Sequence, residues 1–249
     1  MRNINLGSSL IQLNSVDSTN SYASRLLRQE TVTEGTVILA VHQTQGKGQA
    51  GNNWESHDGK NLLFSIILWP DFLRADKQFY LSMSISNGIL DFIAPIEKPV
   101  GIKWPNDIYL NGRKVAGILI ENTIIANNLH TSIIGIGLNV NQCVFSKHLP
   151  NPTSLSLETG KEFILPDSLD NLLKCLNTWV DKLYNGAFTE IKTKYLNNLW
   201  LMNKWTAFMD ISGRFEGRIT DVSESGELVV LKKNGETKLY AFKEIAFSE

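Results

Sequence analysis

Three glycines spaced G-x-G-x-x-G lie between two apolar runs, and that placement restricts the fold more than any other feature of the chain. Residues 36–41 precede the stretch Gly46-Lys47-Gly48-Gln49-Ala50-Gly51-Asn52-Asn53-Trp54, and residues 61–69 follow it. Each run is short, continuous and bulky, which reads as a buried strand. Glycines at this spacing admit positive φ and close backbone approach to a ligand, and successive N–H groups in such a turn favour an anion. The flanks decide which fold can carry the loop. A dinucleotide fingerprint needs its third glycine to open a helix that holds the pyrophosphate. Here Glu55-Ser56-His57-Asp58-Gly59-Lys60 are turn formers and supply no helix. A Walker loop needs Ser or Thr after Gly-Lys, which neither Gly46-Lys47 nor Gly59-Lys60 has. The signature set that accompanies a kinase glycine loop is missing too. What remains is a strand–loop–strand cradle.

The rest of the chain supplies the sheet around it. Asp17-Ser18-Thr19-Asn20 precedes a helical face of Tyr22, Leu26 and Leu27, so Asp17, Ser18 or Thr19 is expected to cap a helix. The same residues would present polar groups beside the free N–H donors of a helix start. Residues 78–93 read as an amphipathic helix stopped by Pro95. A short strand ends at Lys103, where Trp104-Pro105 fixes a turn. Asn111-Gly112 between two apolar segments is a hairpin signal. Residues 131–140 form another buried strand, with Gly135 and Gly137 where something approaches closely. Residues 142–165, with two prolines and Gly160, make a long connection of the kind that is usually functional or mobile. Helices are expected over 167–184 and 188–200. From Lys204 the texture changes to short alternating runs separated by Gly213, Ser225-Gly226 and Asn234-Gly235, a meander that predicts a small SH3-like β-barrel. The fold class is therefore α+β (mixed α/β): a central mixed β-sheet with helices over residues 1–202, then the barrel over 203–249.

Composition narrows the functional classes. The 249 residues carry a net charge of −1, so there is no global electrostatic footprint for nucleic acid or an anionic membrane. The first residues lack a signal-peptide h-region and cleavage site, and no continuous apolar run approaches the ~20 residues of a membrane span. A cytoplasmic protein is expected. Cys143 and Cys175 have no metal-ligand spacing and read as two buried thiols.

The usual protein nucleophiles are absent: there is no G-x-S-x-G elbow, no H-E-x-x-H and no cysteine–histidine signature. The four histidines are not spaced as ligands. What remains is an anion-cradling loop with Lys47, a lysine at a strand end (Lys103), a hairpin lysine (Lys114) and a strand-end asparagine (Asn139). That set suits phosphoryl or nucleotidyl transfer, in which catalysis is positioning plus charge stabilisation and the substrate brings its own nucleophile.

Five motifs now fall into order: Ser18-Thr19-Asn20, the loop from Gln43 to Trp54, Lys103-Trp104-Pro105-Asn106-Asp107, Lys114-Val115-Ala116-Gly117-Ile118-Leu119, and Gly135-Ile136-Gly137-Leu138-Asn139-Val140-Asn141. Their order and spacing resemble those of biotin–protein ligases over roughly residues 12–141. The resemblance implies that biotin's carboxylate attacks the α-phosphate of ATP with Mg²⁺, giving biotinyl-5′-AMP and pyrophosphate. A lysine of a biotin carboxyl carrier domain then takes the biotin and AMP leaves. By the family's motifs, Lys103 is the catalytic cation. Biotin would be bound by Ser18, Thr19, Asn20, Gln43, Gly46, Lys47, Lys103, Gly117, Gly135 and Gly137. ATP or the adenylate would meet Lys47, Gln49, Trp54, Lys103, Asn106, Lys114, Gly117 and Asn139. The 142–165 connection takes the place of the family's adenylate-covering loop. Homodimers through the central sheet are frequent in the family. The resemblance leaves the metal ligands unassigned.

Two other readings compete. A lipoate ligase or octanoyl transferase resembles this fold, but carries an R-R-x-S-G-G-G-type run that residues 46–51 do not match. A biotin-sensing repressor or a non-catalytic binding module belongs to another class. About fifteen residues precede Val16, too few for helix-turn-helix elements, which favours no nucleic-acid partner. The loop also departs from the arginine-rich form of many family members, since Gln49, Ala50 and Asn52 stand where arginines often do. Glutamine cannot copy the bidentate clamp of arginine on phosphate. We expect faster adenylate release and measurable biotinylation of bystander lysines. Release as slow as in an arginine-bearing relative measured alongside would refute this.

Overall fold

The computed structural model describes residues 4–248, without the side chain of Ala50. Met1 to Asn3, part of the N-terminal stretch considered above, and the Ala50 side chain lie outside the described residues. In chain order the first elements are β1 (Leu10–Val16), α1 (Thr19–Gln29), β2 (Val37–Gln43), β3 (Leu62–Leu68) and α2 (Phe79–Ile93). Then come β4 (Val100–Lys103), β5 (Asp107–Leu110), β6 (Arg113–Ile125), β7 (Asn128–Leu138), α3 (Leu155–Thr159), α4 (Leu165–Tyr184) and α5 (Phe188–Asn197). The last part holds β8 (Trp205–Asp210), β9 (Gly213–Val222), β10 (Leu228–Lys232), β11 (Thr237–Tyr240) and β12 (Ala246–Phe247).

The first seven strands form one mixed sheet in the order β1-β2-β3-β7-β6-β5-β4, with β1 parallel to β2 and every other pair antiparallel. β3 is buried along its whole length, as a run that is apolar but for Ser65 requires of a central strand covered on both faces. Asn111 and Gly112 take φ of +52° and +73°, the conformation a two-residue hairpin needs between β5 and β6. The last five strands form a separate antiparallel sheet, β11-β10-β9-β8-β12. Its buried side chains, Phe208, Ile219 and Tyr240 among them, join the same apolar core as α2 and the large sheet.

Several expectations are corrected. β1 was not foreseen, because its alternation is broken by Asn14-Ser15 and half of it faces solvent. The 142–165 connection contains α3, and α4 begins at Leu165 with proline in its first turn, a position where a missing N–H costs no hydrogen bond. α5 stops at Asn197 instead of running to 200, since residues 198–200 pair with β4: Ile102 N–H donates to Asn198 O and Trp200 N–H to Ile102 O, at 2.8 and 2.7 Å. The thiols are not both buried. Cys143 is exposed and Cys175 half-buried.

α2 is not amphipathic, for 12 of its 15 residues are buried. With its flanking turns, Ala75–Ile96, it is long and apolar enough to cross a membrane, yet 67% of its apolar window is buried inside the protein. α4 lies across it with an apolar stripe of Leu169, Leu172, Leu176, Trp179, Val180 and Leu183. The two helices meet at Gly88, where an added Cβ would come 2.8 Å from Leu176 Cδ2 and 2.9 Å from its Cα. Backbone, not a flexible side-chain tip, blocks the methyl. Gly88→Ala should therefore destabilise by about 2 kcal/mol despite its better helix propensity. Urea unfolding checks this, and an unchanged midpoint would contradict the packing.

Candidate active site

One end of the principal cavity, about 410 Å³ in volume, is polar and built at the start of α1. Ser18 occupies the N-cap position in extended conformation, but its side chain makes no capping bond. The expected cap is therefore not the use of this hydroxyl. Gln43, at the end of β2, takes the role instead: its Oε1 accepts from Thr19 N–H at 2.8 Å and lies 3.2 Å from Thr19 Oγ1. Asp17 is drawn away by a two-pronged pair with Arg25, which holds its carboxyl well below the usual range. Ser65 Oγ lies 2.7 Å from Thr19 Oγ1 and 2.6 Å from Asn20 Oδ1. Asn20 Oδ1 can only accept, so it takes the Ser65 proton, and the Thr19 hydroxyl donates to Ser65 or to Gln43. Asn20 Nδ2 donates to Glu121 Oε2 at 2.7 Å. The result is a buried array of donors and acceptors fixed in place by one another.

The floor is the face of β6 and β7. Gly117 and Gly137 are direct cross-strand partners, and Gly135 is two residues from Gly137 on the same face. A Cβ at Gly137 would lie 2.3 Å from the Trp54 indole, one at Gly117 2.8 Å from it, and one at Gly135 2.4 Å from Asn20 Oδ1. Side chains there would displace both groups. The glycine loop itself is a small closed hairpin. Gly48 N–H donates to Asn52 O at 2.6 Å and Trp54 N–H to Gly46 O at 2.9 Å, and Lys47 bridges Asn53. These amides are consumed within the loop, so the loop offers side chains, Lys47 and Gln49, to the cavity.

Two lysines enter the cavity from the far side and differ in their partners. Lys114 forms an ion pair with Asp107 at 2.7 Å and lies over the Trp54 ring. Lys103, at the end of β4, is hydrogen-bonded to Tyr109 Oη at 3.2 Å. Among the described residues no carboxylate forms an ion pair with it. Asn106 holds the turn after Lys103 against β6, donating from Nδ2 to Ile118 O at 2.7 Å.

Ser18, Thr19, Asn20, Gln43, Lys47, Gln49, Trp54, Lys103, Asn106, Lys114, Gly117, Gly135 and Gly137 thus all line the one cavity. Gly46 does not line it; a Cβ there would meet Trp54 O at 2.4 Å, so that glycine serves the closure of the loop. Asn139 lines an adjoining cavity of about 500 Å³ that shares Asn52, Asn53, Trp54 and Lys114 with the first. Asn139 Nδ2 donates to Thr153 O, whereas its buried Oδ1 has no partner among the described residues. Sequence reasoning missed Ser65, Asp107, Phe242, Ile245 and Phe247. Ser65 had a signal, as the one polar residue in an apolar strand. Asp107 was inside a quoted motif, and the last three had none.

The outer wall of the adjoining cavity is the connection after β7. Lys114 N–H donates to Asn151 O and Thr153 N–H to Lys114 O, so the connection runs beside the start of β6. Ser146 and His148 bond the two oxygens of Glu55 at 2.7 and 2.6 Å, and those bonds lower the Glu55 pKa. Glu158, on α3, anchors the far end. Burial pushes its pKa up, but bonds from Thr153, Lys98, Arg113 and Asn111 more than offset this and hold it at about 2.

Lys47, Lys103 and Lys114 beside this polar array make the cavity suited to stabilising an anion. Comparison with known proteins agrees. Residues 13–139 match the Biotin/lipoate A/B protein ligase family. The bifunctional ligase/repressor BirA of Bacillus spizizenii is 30% identical over 246 residues, covering 95% of this chain and 73% of that one. The biotin--[acetyl-CoA-carboxylase] ligase of Paracoccus denitrificans is 27% identical over 86% of this chain and 90% of its own. Among solved structures, biotin protein ligase from Aquifex aeolicus in complex with biotin and ATP superposes with a TM-score of 0.79 at 29% identity, covering 97% of this chain and 99% of that one. The chain belongs to the Biotin/lipoate A/B protein ligase family.

The Glu158 cluster yields a signed pH dependence. Its folded pKa is below the ordinary value of 4.5, so its contribution is complete above about pH 4.5 and disappears as pH falls towards 2. Glu158→Gln should cost about 2 kcal/mol at pH 7 and much less near pH 2.5. Thermal melts at both pH values check the sign, and amide exchange should quicken over α3. Equal melts at pH 7 would rule the anchor out.

Proposed function

We propose that this protein is an ATP-dependent biotin–protein ligase. The observation that carries the reading is Lys103, which forms no ion pair among the described residues and lines the same cavity as the hydrogen-bonding groups of Ser18, Thr19, Asn20 and Gln43. Biotin's ureido ring carries two N–H donors and one carbonyl, and the Ser18, Thr19 and Gln43 side chains supply complementary groups. Its carboxylate then extends along the glycine floor towards Lys103. There the ammonium balances the charge of the carboxylate and the α-phosphate as they approach. The carboxylate oxygen attacks phosphorus, the bond to the bridging oxygen breaks, and pyrophosphate leaves. The deprotonated amine of a carrier lysine next attacks the acyl carbon of the mixed anhydride, and AMP departs. Both nucleophiles belong to substrates.

The nucleotide fits the adjoining cavity. Lys114 reaches its phosphate, the unpartnered Asn139 Oδ1 offers an acceptor to a ribose hydroxyl or base amino group, and the connection with Pro150 and Pro152 covers it. Lys47 and Gln49 complete the charge and polarity above the acyl phosphate. Magnesium accompanies ATP on its phosphates. Among the described residues no cluster of three or more His, Cys, Asp or Glu side chains offers a protein ligand set, so no protein ligands are assigned to it. The proposal includes a biotin carboxyl carrier domain as acceptor, a cytoplasmic location, no nucleic-acid partner and association of two copies. It also divides the chain at 202/203 into a catalytic part and an SH3-like part.

The polar array favours biotin over lipoate. A dithiolane can neither donate to nor accept from the Ser18 hydroxyl and the Gln43 amide nitrogen that line the cavity, and polar groups left unpaired when a ligand closes the site penalise the wrong acid. ATP–pyrophosphate exchange with each acid separates the two, and transfer to a carrier domain is read by avidin blot. Lys103→Ala should lower biotin-dependent exchange by at least about 100-fold with an unchanged melting temperature. Exchange at the wild-type rate would sink this role, and lipoate-dependent exchange would sink the choice of acid.

A further inference from the structure

The surroundings of Lys103 are aromatic on three sides. Its Nζ lies 5.2 Å from the ring centroid of Tyr109, 5.3 Å from that of Trp200 and 5.4 Å from that of Phe247. Each ring arrives on a different element. Tyr109 stands on β5, opposite Gly101 of β4. Trp200 is placed by the residues that leave α5 to pair with Ile102. Phe247 comes from β12, in the small sheet, and packs on Phe208 behind it with centroids 5.4 Å apart. Trp200 and Phe247 touch edge to face at 5.1 Å, and Tyr109 and Trp200 are 6.1 Å apart. Lys114, in the same cavity, lies over the Trp54 ring but is also held by the carboxylate of Asp107.

These are two ways of fixing an ammonium, and they leave different charges behind. A carboxylate neutralises the cation and competes with an incoming anion. An aromatic face attracts the cation through its quadrupole and adds no negative charge to the site. We propose that Tyr109, Trp200 and Phe247 are positioning residues for the Lys103 ammonium: Trp200 and Phe247 form an aromatic seat, and the Tyr109 hydroxyl accepts its hydrogen bond. The small C-terminal sheet thereby takes part in biotin adenylation through one ring. The seat limits the rotamers of a long flexible side chain, whose freedom otherwise opposes a fixed placement, while the positive charge stays available to the carboxylate and the α-phosphate. This inference rests on the reading of Lys103 as the cation of a biotin ligase.

The test grades the ring and leaves its shape nearly constant. Phenylalanine 247 is replaced in the full-length protein by its 4-fluoro, 3,5-difluoro and 3,4,5-trifluoro analogues, which progressively weaken the quadrupole. Phe247→Tyr and Phe247→Leu are made alongside. The kcat of biotin-dependent ATP–pyrophosphate exchange should fall stepwise with fluorination and by about 5- to 10-fold in Phe247→Leu. Phe247→Tyr should stay near wild type, and KM for biotin should change little, because the polar end of the cavity is untouched. A rate indifferent to fluorination would overturn the seat, since packing alone does not follow the quadrupole. A second reading does not require activity: protons on the Lys103 side chain, assigned by comparison with Lys103→Arg, should resonate upfield through ring currents and move downfield in Phe247→Leu. Absence of that shift also overturns the seat. If wild-type protein shows the ring-current shift but no biotin-dependent exchange, the proposed activity is wrong and the seat stands.

Discussion

The site depends on a face of the large sheet from which side chains are missing. Gly117, Gly135 and Gly137 leave the backbone of β6 and β7 bare, and both the Trp54 indole and the Asn20 amide approach it more closely than any Cβ would permit. Glycine weakens a strand interior through lost packing and extra backbone entropy. The cost is local, because the strands bearing it are otherwise well supported. β7 pairs along its length with β3 on one side and β6 on the other, and Ile136, between Gly135 and Gly137, is buried in the core. Period-two alternation thus separates a packing face from a binding face on the same strand.

Above that floor the polar groups are arranged so that each is oriented by a neighbour before any ligand arrives. Gln43 satisfies the start of α1, which releases Ser18 from the capping role its position suggests. Ser65 links Thr19 to Asn20, and Asp107 holds Lys114. Preorganisation of this kind matters more for binding than the number of contacts, since ordering costs are met when the chain folds. The lysines show the same economy of motion: neither side chain is left to wander through the cavity.

Much of this was legible in the sequence, for physical reasons that differ by element. The Asn111-Gly112 turn announces itself because few residues tolerate two successive positive φ values. β3 and β7 are visible as largely apolar runs, and most polar groups of the cavity lie near the ends of strands. β1 was hidden because an edge strand can be half polar and still pair. The early end of α5 was hidden because residues 198–200 continue a helical pattern and leave it only to pair with β4, a tertiary preference that local propensity does not encode. Phe242, Ile245 and Phe247 read as part of a β meander, and only the packing of the two sheets brings them to Lys103. Ser65 needed knowledge of what lies across the sheet.

Trp54 and Glu55 are neighbours in the chain; the first lines both cavities and the second only the adjoining one. The indole of the first lies on the glycines of one, while the carboxylate of the second holds Ser146 and His148 on the wall of the other. Because Trp54 lines both cavities, a ligand that displaces its indole changes the lining of each. Any factor by which occupancy of the first cavity alters affinity at the second must therefore equal the factor in the opposite direction.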